Sequence, residues 1–283
     1  MHIVKRKKGN EYYYYLQRSF RENGKVVTKE IYLGKKIPRN IEQIKQKLEQ
    51  ENKKGLYNKL EKIKENFQKE WSKIPKSVKE KELQEIAIAF TYNTNAIEGS
   101  TITLPETMQI IKENIAPNKD LSDIKETEAH YKVFLDMLNR KEKISNELLL
   151  KWHKNIFEET KTEIAGKFRE YLVRVGDYIA PDWQDVKHLM NELLKYIHKI
   201  KINSVELAAR AHYKFEHIHP FGDGNGRIGR LLMNYVLWNS KYPMLIIAYK
   251  KRQAYYKAFQ KGEEYFVKYF LKLYLKVNKR FLK

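Results

Sequence analysis

His217-Ile218-His219-Pro220-Phe221-Gly222-Asp223-Gly224-Asn225-Gly226-Arg227-Ile228-Gly229-Arg230 is the stretch from which the rest of the chain is best read. Three of the chain's 12 glycines fall at 222, 224 and 226. Residues without a Cβ let successive backbone N–H groups turn inward and approach an anion closely. A helix follows at once, because Ile228, Leu231, Leu232, Tyr235 and Val236 recur with helical spacing. Another helical pattern, Val205 to His217, precedes the loop. The loop therefore joins helix to helix, and neither a Walker loop nor a strand–GxGxxG–helix dinucleotide site is present. A glycine-rich loop opening a helix is an anion site on dipole grounds. Arg227 and Arg230, three apart and off the apolar stripe, add two cations over the same place. The physical reading is a polyphosphate cradle built on helices.

Two side chains give that cradle its chemistry. Asp223 is the one carboxylate in the loop and is suited to hold Mg²⁺ against phosphate oxygens. His219 is the natural general base, with a free pKa near ~6.5. His217 and His219 could pair on a metal, but with no cysteine and a single nearby carboxylate zinc is not expected. His212 lies on the apolar face of its helix and His153 stands beside Trp152, so both read as structural histidines.

Working outward, the text from Val78 onward is mainly helical. Helices fit Val78 to Tyr92, Ser122 to Leu138, Ser145 to Glu159, Trp183 to Ile200, Val205 to His217 and Arg227 to Ser240, with one or two after Arg252. Thr103-Leu104-Pro105-Glu106 is a capping box opening a further helix to about Glu113. Gly166 to Pro181 is the exception: Tyr171, Val173, Val175 and Tyr178 alternate with period two and predict a short hairpin. From Asn40 to Ser72 apolar residues recur at threes and fours, with Gly55 a candidate break and Pro75 an end. Residues 1–40 read as β, a small hairpin or meander closed by Gly34, with Tyr12 to Leu16 and Val26 to Leu33 as strands joined by a turn at Asn23-Gly24. Tyr12 to Tyr15 read as strand packing rather than base stacking.

The run His219 to Arg230 resembles the signature of the Fic (filamentation induced by cAMP) family, H-P-F-x-[DE]-G-N-G-R-x-x-R, with every specified position filled. Gly166-Lys167-Phe168-Arg169 followed by Val173, Val175-Gly176 and Ile179-Ala180-Pro181 is similar to the family's β-hairpin flap. Arg252 with Tyr255-Tyr256 resembles the tyrosine-bearing helix over the nucleotide pocket, although Lys257 to Glu263 departs from the family's usual text. The resemblance covers about residues 85–270. It implies a Fic-type helical core with a flap, transferring AMP from ATP to a Ser, Thr or Tyr hydroxyl of a protein and releasing pyrophosphate. Carried over by position, His219 is the base and Asp223 the Mg²⁺ ligand. Gly224, Asn225, Gly226, Arg227 and Arg230 hold phosphates, and Phe221 anchors the loop. Tyr255 and Tyr256 close the adenine pocket, and Val173, Val175 and Gly176 align the target by strand addition. Thr94-Asn95-Ala96-Ile97-Glu98-Gly99 fits the family's inhibitory pattern [ST]-x-x-x-E-[GN], in which the glutamate, here Glu98, competes with the γ-phosphate for Arg230. The implied organisation is a basic β appendage over 1–39, a helical linker or pair over 40–84, and a core over 85–283. That core contains an inhibitory helix near 85–99 and the flap near 166–181.

Composition bounds the alternatives. The chain has 283 residues, 56 Lys and Arg against 35 Asp and Glu, and no cysteine, which excludes disulfides, thiolate zinc sites and cysteine nucleophiles. The net charge of +21 divides into +12 over residues 1–80, −1 over 81–240 and +10 over 241–283. The basic excess thus lies on the ends, away from the loop. A reading from another class, a regulatory nucleic-acid binder using the basic N-terminal region, rests on that distribution. Removal of AMP and use of another nucleotide are further alternatives. No apolar run reaches the ~18 residues of a membrane span, and no signal peptide is visible, so a cytoplasmic address is expected. The expected partners are ATP and a hydroxyl-bearing protein, the chain itself among the candidates. A homodimer is left open, and nucleic acid is not expected as the main partner.

Overall fold

The computed structural model describes residues 1–22, 25–176 and 178–283, and these form two compact units, 1–59 and 60–283. In the first unit three antiparallel strands, β1 (His2–Lys8), β2 (Glu11–Glu22) and β3 (Lys25–Gly34), form a meander in sequence order. The two strands expected from the aromatic and β-branched runs fall on β2 and β3, while the turn expected at Asn23-Gly24 lies outside the described residues. β1 completes the meander expected over residues 1–40, although apolar alternation does not mark it as a strand, because its side chains are mostly cationic. Its cations pack on the tyrosines of β2 instead: Lys5 lies over the Tyr12 ring at 3.8 Å and Arg6 over Tyr15 at 5.1 Å. Such contacts let a cationic strand cover an aromatic face.

Helix α1 (Ile41–Lys73) begins in the first unit and runs unbroken through Gly55. An exposed helical glycine costs only about 1 kcal/mol relative to alanine, too little to end a helix of this length. In the second unit Leu60 and Ile63 of α1 are fully buried. There follow α2 (Lys76–Ile97), α3 (Leu104–Met108), α4 (Leu121–Asn139) and α5 (Asn146–Phe157). Next come a hairpin of β4 (Arg174–Val175) and β5 (Tyr178–Ile179), then α6 (Val186–Lys199), α7 (Ser204–Ile218), α8 (Asn225–Asn239), α9 (Arg252–Gln260) and α10 (Glu263–Val277). The capping box is formed: the Thr103 N–H donates to Glu106 Oε2 at 2.7 Å and the Glu106 N–H to Thr103 Oγ1 at 3.4 Å. The helix it opens passes into a π-turn over Gln109–Glu113.

The core is organised by α7 and α8. Every residue of α8 from Asn225 to Leu237 is buried. Ala208, Ala209 and Ala211 of α7, all fully buried, let the helices approach closely, and α2, α4 and α5 also meet α8. Because α8 is central, the loop that enters it is fixed from several sides at once. That gives the loop a rigid platform rather than a mobile tether.

Candidate functional site

The loop begins where α7 ends. His219 occupies the left-handed region (φ 51°, ψ 59°), and its N–H still donates to the Phe215 carbonyl at 2.9 Å. Its Nδ1 donates to the Glu216 carbonyl oxygen at 3.3 Å, which leaves Nε2 as the basic nitrogen. Burial holds the imidazole below its ordinary pKa, and the bond to the Glu216 carbonyl opposes this only in part. At neutral pH the ring is therefore unprotonated and able to accept a proton.

From there the chain is held on itself. Asn225 is buried, and its side chain both accepts from the Phe221 N–H (2.9 Å) and donates to the Phe221 carbonyl (2.8 Å). Its carboxamide is thus committed to the loop, and what it can offer an anion is its backbone N–H. Phe221 is fully buried and stacks on His153 with ring centroids 3.9 Å apart. His153 accepts from the Gly166 N–H at Nδ1 (2.9 Å), so its Nε2 donates to the Asp223 carbonyl (3.0 Å). Gly224 caps α8 at φ 77°, against the Phe157 ring, and no side chain caps the helix. The first-turn N–H groups of α8 are consequently available to an anion.

Asp223 is half-exposed at 45%. Its Oδ1 accepts from the Gly224 N–H at 2.5 Å and its Oδ2 from Lys161 Nζ at 2.7 Å, with Arg227 Nη2 at 3.6 Å. Burial raises the pKa of this carboxyl, but Lys161 and Arg227 outweigh that and hold it below the usual value. Among the described residues no three His, Asp or Glu side chains converge as a metal cage. A lone, ionised, partly exposed carboxylate beside an anion cradle fits Mg²⁺, which takes most of its ligands from phosphates and water. Arg227 is buried and ion-pairs with the buried Glu126 of α4.

Arg230, 2% exposed, is the end point of the inhibitory pattern. Its Nη2 lies 2.6 Å from Glu98 Oε1, its Nε donates to Thr94 Oγ1 at 2.6 Å, and Nη2 also reaches the Thr94 carbonyl at 3.2 Å. Glu98 is the residue that ends α2, and its carboxylate fills the space a Cβ on Gly226 would need. The two tyrosines expected over adenine have separate surroundings. Tyr255 is buried, with its hydroxyl 2.7 Å from His212 Nε2 and 3.5 Å from Arg230 Nη1. Tyr256 is 38% exposed and donates to the Ile97 carbonyl at 2.8 Å. Only Tyr256 offers an accessible ring. Glu216 of α7 lies in the same layer, and burial pushes its carboxyl up to about 8, against the pull of Arg230.

The hairpin lies against the end of α7, where the Tyr178 hydroxyl donates to the His217 carbonyl at 2.8 Å. Val173 accepts from the Ala180 N–H at 3.1 Å, Val175 is 45% exposed, and Gly176 takes φ 58° in the turn. Arg169, 3% exposed, ties the hairpin to the loop through the carbonyls of His219 (2.8 Å), Tyr171 (2.8 Å), Pro181 (2.6 Å) and Ile218 (3.4 Å). The sequence reading gave no part to Arg169 beyond its place in the flap text. It missed Glu126 and Lys161 altogether, since neither stands near the loop in the chain and both lie in Lys/Glu-rich text.

Residues 143–237 match the sequence profile of the Fic/DOC family. A protein adenylyltransferase Fic of Nematostella vectensis is 34% identical over 183 residues, covering 62% of this chain and 43% of that protein. The protein of the same name from Aedes aegypti is 32% identical over 189 residues, covering 64% and 38%. The chain thus spans less than half the length of these curated relatives. Among solved structures, a Fic-1 fragment from C. elegans superposes with a TM-score of 0.71 at 25% identity, over 83% of this chain and 73% of that one. A Fic domain-containing signaling protein from Bacteroides thetaiotaomicron superposes with a TM-score of 0.68 at 24% identity, over 82% and 96%.

Proposed function

We propose that the chain is a self-inhibited protein adenylyltransferase of the Fic/DOC family, moving AMP from ATP to a Ser, Thr or Tyr hydroxyl of a target protein. The observation that carries this reading is the loop His219 to Arg230 with its last arginine held by Glu98 at 2.6 Å. In the proposed reaction His219 Nε2 takes the hydroxyl proton as the hydroxyl oxygen bonds to the α-phosphorus. The bond from that phosphorus to the bridging oxygen breaks, and pyrophosphate leaves. A neutral imidazole at physiological pH supports the first step. The uncapped N–H groups of Asn225 and Gly226 are suited to the phosphate oxygens, where fixed dipoles stabilise developing charge. Arg227 is assigned to the β-phosphate and Arg230 to the γ-phosphate once Glu98 withdraws.

Asp223 would hold Mg²⁺, which when bound would neutralise charge on the α- and β-phosphates. The exposed hairpin at Val173, Val175 and Gly176 is assigned to the target segment, and Tyr256 to the rim of the base pocket. We assign the chemistry to the core, 85–283, with 40–84 as a helical support and 1–39 as an accessory unit. A cytoplasmic location belongs to the same reading; no described helix is long and apolar enough to cross a membrane. The nucleic-acid reading has less support, because Lys5 and Arg6 pack on the Tyr12 and Tyr15 rings and the family match lies outside the basic N-terminal strands.

The test is incubation with α-labelled ATP of the wild-type protein, Glu98→Gly and Glu98→Gly/His219→Ala, alone and with a cell extract. Label on protein should rise at least about tenfold in Glu98→Gly and fall by about 10²–10⁴ when His219 is also removed. Label that stays at background in Glu98→Gly with ATP, UTP and GTP alike would sink the transferase reading.

A further inference from the structure

Two carboxylates and two cations meet beside the loop, and one of the cations has no part in the reaction described above. Lys161, in the turn after α5, places its Nζ 2.8 Å from Glu126 Oε1 and 2.7 Å from Asp223 Oδ2. Glu126 is an anchor rather than a surface partner: its side chain is 7% exposed, it ion-pairs with Arg227 through Oε2, and it accepts from the Thr160 hydroxyl at 2.9 Å. Lys161 also lies over the Phe157 ring at 5.1 Å. The ammonium is therefore fixed by a buried partner, a ring and the loop carboxylate together. It is not a mobile surface lysine that happens to touch Asp223.

The effect falls on Asp223. Its Oδ1 is engaged by the Gly224 N–H, so Oδ2 is the oxygen left to face a ligand, and Lys161 sits on it. The group of Glu126, Asp223, Lys161 and Arg227 is electrically neutral as it stands. A divalent cation gains little by approaching a neutral group in which the carboxylate oxygen it needs is already bonded to an ammonium. A polyphosphate alters both conditions: it brings several negative charges and offers Lys161 other oxygens.

We infer that Lys161 is a tethered ammonium standing on Asp223 in place of the divalent cation, so that the metal enters only together with nucleotide. The inference rests on the reading of Asp223 as the metal-holding residue. It makes Lys161 a positioning residue for metal loading, acting on order of binding rather than on the reacting atoms. Without it the group would carry one net negative charge and an open carboxylate oxygen, which attract a divalent ion and repel a polyphosphate.

The experiment is a Mn²⁺ titration of the full chain without nucleotide, with free Mn²⁺ followed by electron paramagnetic resonance. Wild type, Lys161→Met, Lys161→Gln, Lys161→Arg, Asp223→Asn and Lys161→Met/Asp223→Asn are compared, each checked for an unchanged melting profile. Lys161→Met and Lys161→Gln should bind Mn²⁺ at least about tenfold more tightly than wild type, as expected for removal of an adjacent positive charge. Lys161→Arg should behave as wild type, and the double variant should lose the gain. With a non-hydrolysable ATP analogue present, wild type and Lys161→Met should converge to within about threefold, because the phosphates then supply most of the metal's ligands. Equal Mn²⁺ affinity of nucleotide-free wild type and Lys161→Met, both taking up the ion with the analogue, overturns the role of Lys161 and leaves the metal assignment standing. Mn²⁺ uptake with the analogue that is unchanged by Asp223→Asn alone overturns the metal assignment itself, and the inference with it.

Discussion

The proposed reaction asks His219 to be a base while it is half-enclosed by protein, and the two conditions agree. Burial keeps the ring neutral, so the catalytic protonation state is populated below the free imidazole value as well as above it. Transfer by Glu98→Gly should therefore rise with pH along a limb whose midpoint lies below 6.5 and be flat above it, measured as kcat/KM for a protein acceptor. A midpoint above 6.5 would contradict the burial argument. Asn225 makes a structural prediction of its own. Asn225→Ala leaves the N–H and carbonyl of the buried Phe221 without partners, which should cost about 1–3 kcal/mol in denaturant unfolding. Asn225→Asp, which can accept but not donate, should fall between. Single residues were legible in the sequence where they stand contiguously: His219, Asp223, Arg227 and Arg230 occupy one window of 12. Glu126 and Lys161 were not, because the ion pairs that give them meaning span 101 residues to Arg227 and 62 to Asp223. One-dimensional text rich in Lys and Glu does not say which of them meet.

Among the elements, the hairpin of β4 and β5 is tied down by the buried Arg169 and by Tyr178, whose hydroxyl donates to the His217 carbonyl at 2.8 Å. Arg169 donates to carbonyls on both sides, the flap at Tyr171 and Pro181 and the loop at Ile218 and His219. Arg169→Lys keeps the charge but replaces a planar fork of five donors by a single ammonium. Both Arg169→Lys and Arg169→Ala, made in the Glu98→Gly background, should raise KM for the protein acceptor by about tenfold or more while changing KM for ATP less than about twofold, as displaced positioning groups do. An equal rise in both constants would mean that Arg169 supports the whole loop and not the flap in particular. Helices were legible from their periodicity, and the capping box at Thr103 gave a start to the residue. The meander over residues 1–40 was legible as β, though not the bounds of β1, whose cations serve as packing surface; the π-turn at Gln109–Glu113 was not, because the apolar spacing gives no sign of it.

For the molecule as a whole, buried titratable groups make stability depend on pH in both directions. His153 is fully buried and burial lowers its pKa to about 4; His130 and His212, also fully buried, are lowered in the same direction. Their folded-state values lie below the unfolded value, so their contribution is complete above about pH 6.5 and is lost as pH falls. His153 alone accounts for about 3 kcal/mol between pH 6.5 and 4 at ~1.4 kcal/mol per unit. Glu216 works oppositely: its folded pKa of about 8 lies above the unfolded value, so the stability it lends below pH 4.5 is lost as pH rises toward 8. Melting temperatures should peak between these limits. Glu216→Gln should stabilise the protein at pH 8 by several degrees and leave it nearly unchanged at pH 4.5. A Glu216→Gln effect independent of pH would show that the carboxyl is not held protonated.

The contact of Glu98 with Arg230 has a consequence at the same scale. A buried guanidinium deprived of its carboxylate is costly. The molecule therefore exchanges one anion for another at Arg230 and has little access to a state with none. On the proposed reading, inhibition of this kind would behave as a threshold in ATP concentration rather than as a lock. If the displaced form is about one molecule in a hundred, the apparent nucleotide affinity for productive binding is weaker by about a hundredfold. Any partner that draws the end of α2 away from α8 would then lower the ATP level at which the protein responds, without touching the nucleotide site.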